Sequence, residues 1–186
     1  MADGSNQPVI LDTTVLSNFA STQSTDHLVE ILAQPMIVLA VKAELEEGRD
    51  RGYAFLDDIH AHIGGSIELL SETNRLHAST LPMLDHLDAG EAESLAIAVE
   101  YDGILATDDF AARRLAAEYN VPVTGSIGIL VSGIRGGIID ADTANQWLTI
   151  WREQRGYYAP VDRIRRCLSN RSQLSSATTD YGHPDR

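Results

Sequence analysis

The sequence of 186 residues contains a single cysteine, Cys167, so no disulfide bond can form within the chain. It has no apolar run long enough to cross a bilayer, and no basic stretch leads into an apolar one near its start, so neither a membrane span nor a secretory signal is predicted. The 6 histidines are scattered without the spacing of a zinc site. These absences lead us to expect a cytoplasmic protein that contains neither a disulfide framework nor zinc.

Basic side chains are also scarce, and Lys42 is the only lysine. With 14 Lys and Arg against 27 Asp and Glu, the formal net charge is -13. Such a surface repels polyphosphates and disfavours simple electrostatic binding of nucleic acid. An acidic, lysine-poor surface is also typical of proteins from a high-salt cytoplasm, such as that of a halophilic archaeon, where the Debye length is about 3 Å at 1 M salt. We favour this second interpretation, under which the net charge does not exclude a nucleic-acid partner.

Short apolar runs alternate with helical patterns along the chain. We expect strands over residues 9–11, 36–40, 67–70, 104–107 and 121–123. Helices are expected over residues 41–48, 50–63, 76–87, 91–101, 110–119, 127–135 and 142–154, with another beginning at Asp26. Because the strand residues are continuously apolar, the pattern predicts an α/β fold whose central sheet has roughly five mainly parallel strands. We expect one domain over residues 1–169 and a polar, disordered tail over residues 170–186.

Acidic residues stand near the ends of these predicted strands. Asp12 directly follows the first strand, Asp108 and Asp109 follow the fourth, Glu44 lies early in the helix after the second, and Glu91 opens its own helix. Ligands of parallel α/β sheets bind beyond the carboxyl ends of the strands, so we expect these acids to share one edge. Converging carboxylates without basic partners require protonation or a cation. An all-oxygen set suits Mg²⁺ or Mn²⁺ rather than zinc.

Each acid also has a local alternative. Asp12 could cap a helix that follows the first strand, and one aspartate of the pair after the fourth strand could cap the next helix. Glu44 stands among other glutamates and could be a solvated surface charge. Glu93 competes with Glu91, which we favour because it lies nearer the positive end of its helix dipole, whereas Glu93 is expected to turn toward solvent.

Four segments of the sequence resemble PIN-domain ribonucleases, in particular the VapC-related toxins of prokaryotic toxin–antitoxin pairs. They are VILDTTVLSNF, VLAVKAELEEG, LDAGEAESLAIAVEYDGILATDDFAARRLA and VPVTGSIGILV, and they occur in the family's order over roughly residues 8 to 140. The resemblance implies a three-layer α/β/α sandwich and a Mg²⁺- or Mn²⁺-dependent endoribonuclease. It also implies an RNA substrate, an antitoxin protein as partner and a homodimer.

The same resemblance assigns the site residues. The implied metal-binding quartet consists of Asp12, Glu44, Glu91 and one aspartate of the pair Asp108 and Asp109. Thr14 matches the small polar residue that supports the first aspartate. Spacing from Thr107 favours Asp109 as the fourth ligand, because relatives often have one residue between that threonine position and the acid. Asp108 stays open as the alternative. Glu91 stands where relatives often carry aspartate.

Two arginines and two other function classes complete the sequence hypotheses. Arg113 and Arg114 either contact the RNA backbone or form a solvated helix face.

One alternative function is a non-catalytic PIN scaffold that binds RNA or protein. The other is a phosphatase with an aspartyl nucleophile, because LDTTVLSN is similar to its motif. That chemistry needs a second aspartate two residues after the nucleophile, where Thr14 stands, so we regard it as the weakest of the three.

Overall fold

The structure is a computed structural model that describes residues 7–70, 83, 85–159 and 163–164. Its centre is a five-stranded sheet in the order β3-β2-β1-β4-β5, and every neighbouring pair is parallel. The strands are β1 Val9–Leu11, β2 Pro35–Val38, β3 Glu68–Leu70, β4 Ile104–Ala106 and β5 Val123–Thr124. The predicted parallel sheet of five strands is confirmed.

Eight α-helices lie around the sheet within the described residues. They are α1 Thr13–Ser21, α2 Thr25–Ile31, α3 Leu39–Asp50, α4 Asp57–His60, α5 Ala89–Glu100, α6 Phe110–Glu118, α7 Ser126–Arg135 and α8 Ala141–Arg155. Helix α5 packs against α3 and against β1, β2 and β4, whereas α1 packs against α2, α4 and α8. This arrangement confirms the predicted α/β fold and is consistent with a PIN-like sandwich. None of these helices has the length and apolar character needed to cross a membrane.

The core is built from the central strands and the aromatic side chains of two helices. Ile10 and Leu11 of β1 and Leu105 of β4 are fully buried. Phe19 of α1 and Trp151 of α8 are also fully buried, and their ring centroids lie 5.1 Å apart. Close packing of this kind leaves little freedom to the backbone. The core therefore fixes the ends of β1 and β4, from which the acidic segments continue.

The predicted end of the second strand is wrong. Leu39 and Ala40 belong to α3, which begins as soon as β2 ends at Val38. The backbone N–H of Ala40 donates to Glu93 Oε2 at 2.9 Å, so a carboxylate from α5 satisfies a donor in the first turn of α3. The helix thus begins without a polar capping residue of its own.

Two further predicted elements differ from the structure. The fifth strand is shifted toward the C-terminus and spans Val123–Thr124 instead of residues 121–123. The helix predicted over residues 50–63 is interrupted at Gly52, which has a φ of 95°, and only a 3₁₀ turn at Ala54–Leu56 and the short α4 follow. The helix predicted over residues 76–87 lies largely outside the described residues, and the tail over residues 170–186 lies entirely outside them.

The sheet has a switch point between β1 and β4, where the chain changes the side of β1 to which it adds strands. Strands β2 and β3 lie on one side of β1, whereas β4 and β5 lie on the other. Asp12 follows β1, and its backbone N–H donates to the carbonyl oxygen of Ala106, the last residue of β4, at 3.0 Å. Such a switch point opens a crevice at the carboxyl ends of the strands, which is where α/β sheets bind ligands.

Candidate functional site

Asp12 lies at the switch point and is only 2% exposed. Its Oδ2 accepts hydrogen bonds from the hydroxyls of Thr14 at 2.7 Å and Thr107 at 2.8 Å, and its Oδ1 accepts one from the backbone N–H of Thr13 at 2.8 Å. Burial raises the pKa of Asp12, although the three donors act in the opposite direction. Asp12 does cap α1, as the local alternative predicts. Capping does not require burial, however, and a buried carboxylate is costly unless its charge is compensated.

Glu44 approaches the same crevice from α3. Its Oε2 accepts a hydrogen bond from the Thr13 hydroxyl at 2.5 Å, and its Oε1 accepts one from the backbone N–H of Gly90 at 3.1 Å. Burial raises the pKa of Glu44, and the charges of Asp88 and Asp12 raise it further. A Cβ at position 90 would overlap the Glu44 carboxylate, so the glycine leaves the space that Glu44 occupies. Glu44 is therefore not a solvated surface charge.

Glu91 opens α5 and forms a capping box with Asp88. The backbone N–H of Glu91 donates to Asp88 Oδ1 at 2.9 Å, and the N–H of Asp88 donates to Glu91 Oε2 at 3.3 Å. Burial raises the pKa of Glu91 to about 7, and the charges of Asp109, Asp88 and Asp12 contribute to the increase. Glu91 is thus electrostatically coupled to acids that follow both β1 and β4.

Glu93 has a different role from the one expected. Its carboxylate accepts the Ala40 N–H at the start of α3, so the expectation that Glu93 turns toward solvent is wrong. Its bond to α3 is structural, whereas the pKa of Glu91 responds to Asp12 and Asp109. The structure therefore favours Glu91 as the glutamate of α5 that belongs to the acid cluster, which we define as Asp12, Glu44, Glu91 and Asp109.

Asp108 is held by four donors. Its Oδ1 accepts hydrogen bonds from the Ser126 N–H at 2.9 Å and the Tyr157 hydroxyl at 3.1 Å. Its Oδ2 accepts hydrogen bonds from the Ser126 hydroxyl at 2.5 Å and the Asn18 side-chain amide at 3.1 Å. Asp108 therefore ties the segment after β4 to α1, to the start of α7 and to the segment after α8.

Asp109 is connected to the acid cluster by its backbone and by its charge, whereas Asp108 is connected to it through its backbone N–H, which donates at 3.1 Å to the Thr14 hydroxyl that bonds Asp12. The Oδ1 of Asp109 accepts the Ala112 N–H at 2.9 Å and thereby caps α6, as the local alternative predicts. Its own N–H donates at 3.1 Å to the Thr107 hydroxyl, which donates to Asp12. Its charge also raises the pKa of Glu91. Of the two aspartates, Asp109 is the one linked to both Asp12 and Glu91.

Arg113 and Arg114 occupy different environments. The Arg113 guanidinium donates to the carbonyl oxygen of Thr107 at 2.9 Å and is half-buried. Arg114 is exposed on α6. Arg113 therefore has a structural partner in the segment after β4, whereas a contact of either arginine with RNA stays a prediction.

The family comparison adds to this geometry. A family model described as a PIN domain matches residues 8–173. The chain belongs to the PIN-domain family. PIN domains are generally nucleases, so membership supports a hydrolase that acts on nucleic acid. Comparisons with curated proteins and with solved structures give no match.

The acid cluster of this PIN domain has no basic partner among the described residues. The ion pairs there join Lys42 to Glu46, Arg49 to Asp57, Arg51 to Glu47 and His62 to Asp26. In the same part of the chain, no three His, Cys, Asp or Glu side chains are arranged to hold a metal ion together. The carboxylates face hydroxyl and amide donors instead. Their oxygen chemistry and mutual repulsion fit a hard divalent cation, which would have to replace some of these donors.

The sequence interpretation misses the residues that hold the acids in place. Thr13 donates its N–H to Asp12 and its hydroxyl to Glu44, and Thr107 links Asp12 to Asp109. Gly90 also donates to Glu44. The sequence signal that could have identified the two threonines is their position beside the strand ends, in the stretches LDTT and ATDD. By contrast, the predicted supporting role of Thr14 agrees with its 2.7 Å hydrogen bond to Asp12.

The raised pKa of Glu91 predicts how the stability of the metal-free PIN domain depends on pH. The pKa of Glu91 is about 7 in the folded chain against an ordinary value of 4.5, so the folded state binds more protons than the unfolded state between these values. The free energy of unfolding should therefore fall as the pH rises from 4.5 to about 7. Urea unfolding in EDTA across this range measures the slope.

Glu91→Gln should make this slope shallower, because the amide does not titrate, while Asp12 and Glu44, whose pKa is also raised, account for the remaining part. Glu100→Gln, at the exposed end of the same helix, provides the matched control and should retain it. A slope that is identical in the unsubstituted chain and in Glu91→Gln would contradict the assignment of the pH dependence to Glu91.

Proposed function

We propose that this PIN domain is a Mg²⁺- or Mn²⁺-dependent endoribonuclease that hydrolyses RNA phosphodiester bonds at the acid cluster. The proposal depends mainly on one observation: Asp12 and Glu44 meet at the switch point of the sheet, where Thr13 donates to both carboxylates. Burial raises the pKa of these two acids and of Glu91. The described residues offer these acids no basic partner. A divalent cation would relieve their repulsion and the cost of burying them.

The chain's own side chains have separate tasks in this proposal. Asp12, Glu44, Glu91 and Asp109 would hold the cation, which supplies a Lewis acid for the phosphate and a lower pKa for water. Thr13, Thr14 and Thr107 orient Asp12 and Glu44 through the hydrogen bonds described above. Contacts that orient ligands in this way typically contribute about 10- to 100-fold to metal affinity or activity.

The proposal extends further to RNA as the preferred substrate and to a biological role as a toxin. Both are supported by the resemblance of the four sequence segments to toxin ribonucleases. We propose accordingly that the protein is the toxin of a toxin–antitoxin pair and acts as a homodimer, with an antitoxin segment that covers the acid cluster. A neighbouring gene that encodes a short DNA-binding protein would support this role.

The nuclease proposal is tested by incubating the full chain with a labelled RNA and with DNA of the same sequence. We expect RNA cleavage with Mg²⁺ or Mn²⁺, none with EDTA, and recovery when the cation is restored. Because the chain is strongly acidic, each reaction is run at low and high KCl. RNA that is bound but never cut would support the non-catalytic scaffold instead. Equal cleavage of DNA would contradict the preference for RNA.

A further inference from the structure

Glu93 is a half-buried acid of α5 that the proposed mechanism does not use, although it stands two residues after Glu91. Its Oε2 accepts the backbone N–H of Ala40, in the first turn of α3, at 2.9 Å. The N-cap position of that helix is Val38, whose side chain makes no capping hydrogen bond. Glu93 therefore supplies from another helix the acceptor that a local capping residue would ordinarily provide.

A second hydrogen bond joins the same two helices. The backbone N–H of Gly90 in α5 donates to Glu44 Oε1 in α3 at 3.1 Å. On α3, Ala40 and Glu44 are four residues apart, and on α5 the two bonded residues, Gly90 and Glu93, are three residues apart. Residues at these spacings lie on the same face of a helix. Both hydrogen bonds therefore cross a single interface between α3 and α5.

The two hydrogen bonds together fix the position of α3 along α5. The bond to Ala40 holds the first turn of α3, and the bond to Glu44 lies about one turn later, about 6 Å along the helix axis. If the first bond is lost, α3 can shift along α5 and carry Glu44 with it. The place of Glu44 in the acid cluster thus depends on a residue outside that cluster.

We propose that Glu93 is a positioning residue that places Glu44 in the acid cluster by fixing the first turn of α3. This role depends on where the acceptor oxygen of Glu93 lies and not on a bond to a cation. The inference rests on the proposed function for the role of Glu44 as a cation ligand, but the contact itself is testable without a cation. The competing role for Glu93 is that of a direct cation ligand.

Three substitutions separate the position of the acceptor oxygen from its charge. Glu93→Gln keeps an oxygen at the same distance and loses the charge, Glu93→Asp keeps the charge but is shorter by one methylene, and Glu93→Ala loses both. The Kd of the full chain for Mn²⁺, measured by electron paramagnetic resonance, should stay within about twofold in Glu93→Gln and rise about tenfold in the other two. A ligand role predicts the opposite order for Glu93→Gln and Glu93→Asp. Glu100→Ala, at the exposed end of α5, is the matched control and should leave the Kd unchanged.

Amide hydrogen exchange in EDTA tests the contact without a cation. Glu93→Ala should speed the exchange of the Ala40 amide and also of the Gly90 amide by about tenfold, because the second bond loosens when α3 moves. Glu93→Gln should leave both rates unchanged. The amide of Leu105, in the buried centre of the sheet, reports global unfolding, and its change is subtracted from the other two. Faster exchange at Ala40 alone would overturn the inference, because the contact would then not position Glu44.

The outcomes also distinguish this inference from the proposed function. If the chain binds no Mn²⁺ and cuts no RNA, but the Ala40 and Gly90 amides respond together, the positioning of Glu44 stands and the metal-dependent nuclease is contradicted. If the chain cuts RNA with Mn²⁺ and Glu93→Ala leaves the Kd unchanged, the nuclease stands and the positioning role is overturned. Equal losses of Mn²⁺ affinity in Glu93→Gln and Glu93→Ala would also overturn it, because they would make Glu93 a ligand.

Discussion

Asp12→Asn is expected to reduce RNA cleavage by about 10³-fold, which corresponds to about 4 kcal/mol of activation free energy. The asparagine has the shape of aspartate but lacks the charge that would hold a cation. Its fold should persist, because the amide oxygen can accept the Thr13 N–H and keep the cap of α1, the amide nitrogen can donate to the rotatable hydroxyls of Thr14 and Thr107, and no charge is buried. Single-turnover cleavage rates and urea unfolding, measured side by side, check both parts of this expectation.

Asp140→Asn provides the matched control for Asp12→Asn. Asp140 caps α8 by accepting the Thr143 N–H at 2.7 Å, as Asp12 caps α1, but it is exposed. Asparagine is as good a capping residue as aspartate, so this variant should retain both stability and cleavage. If Asp12 were only a cap, the two variants would behave alike, and an active Asp12→Asn would contradict the proposed site.

The aspartate pair should separate cleavage from stability. Asp109→Asn is expected to lower cleavage by about 100-fold with little effect on unfolding, because asparagine can still cap α6 while the charge beside Glu91 is lost. Asp108→Asn should lower the free energy of unfolding by about 1–3 kcal/mol, because its amide nitrogen would face donors from Ser126, Tyr157 or Asn18.

The same two measurements decide the outcome for this pair. Cleavage lost in Asp108→Asn at unchanged stability, together with an active Asp109→Asn, would reverse the assignment of the two residues. Loss of stability in Asp108→Asn alone would agree with its four hydrogen bonds. Each variant therefore serves as the control for the other.

The strand ends could be predicted from the sequence because continuous apolar residues stop at polar ones. Asp12 after β1 and the aspartates after β4 were found in this way, and the parallel sheet then brings them to one edge. The start of α3 could not be found, because the group that satisfies its first turn is Glu93, 53 residues away in sequence. Local patterns cannot show a cap that the tertiary fold supplies.

Local sequence patterns also cannot show which aspartate of the pair belongs to the acid cluster. Asp108 and Asp109 are identical residues side by side, and only their partners distinguish them. Those of Asp108 include Asn18, 90 residues earlier, and Tyr157, 49 residues later. Similarly, Thr13 reaches Glu44 across 31 residues. The sequence predicts which side chains meet at the crevice, but the hydrogen bonds that give each one its role arise only when the chain folds.

Gly90 of α5 has no side chain, and the carboxylate of Glu44 from α3 occupies the space beside it. The residues allowed at these two positions therefore depend on each other in any set of variants. A methyl group at position 90 would meet the Glu44 carboxylate, so a change at one position alters the space at the other. Alanine at 90 would force the flexible end of Glu44 to move from its place, whereas aspartate at 44, shorter by one methylene, would leave room for the methyl group. Selection for cleavage from a randomised population would therefore enrich the two sites as a size-matched pair.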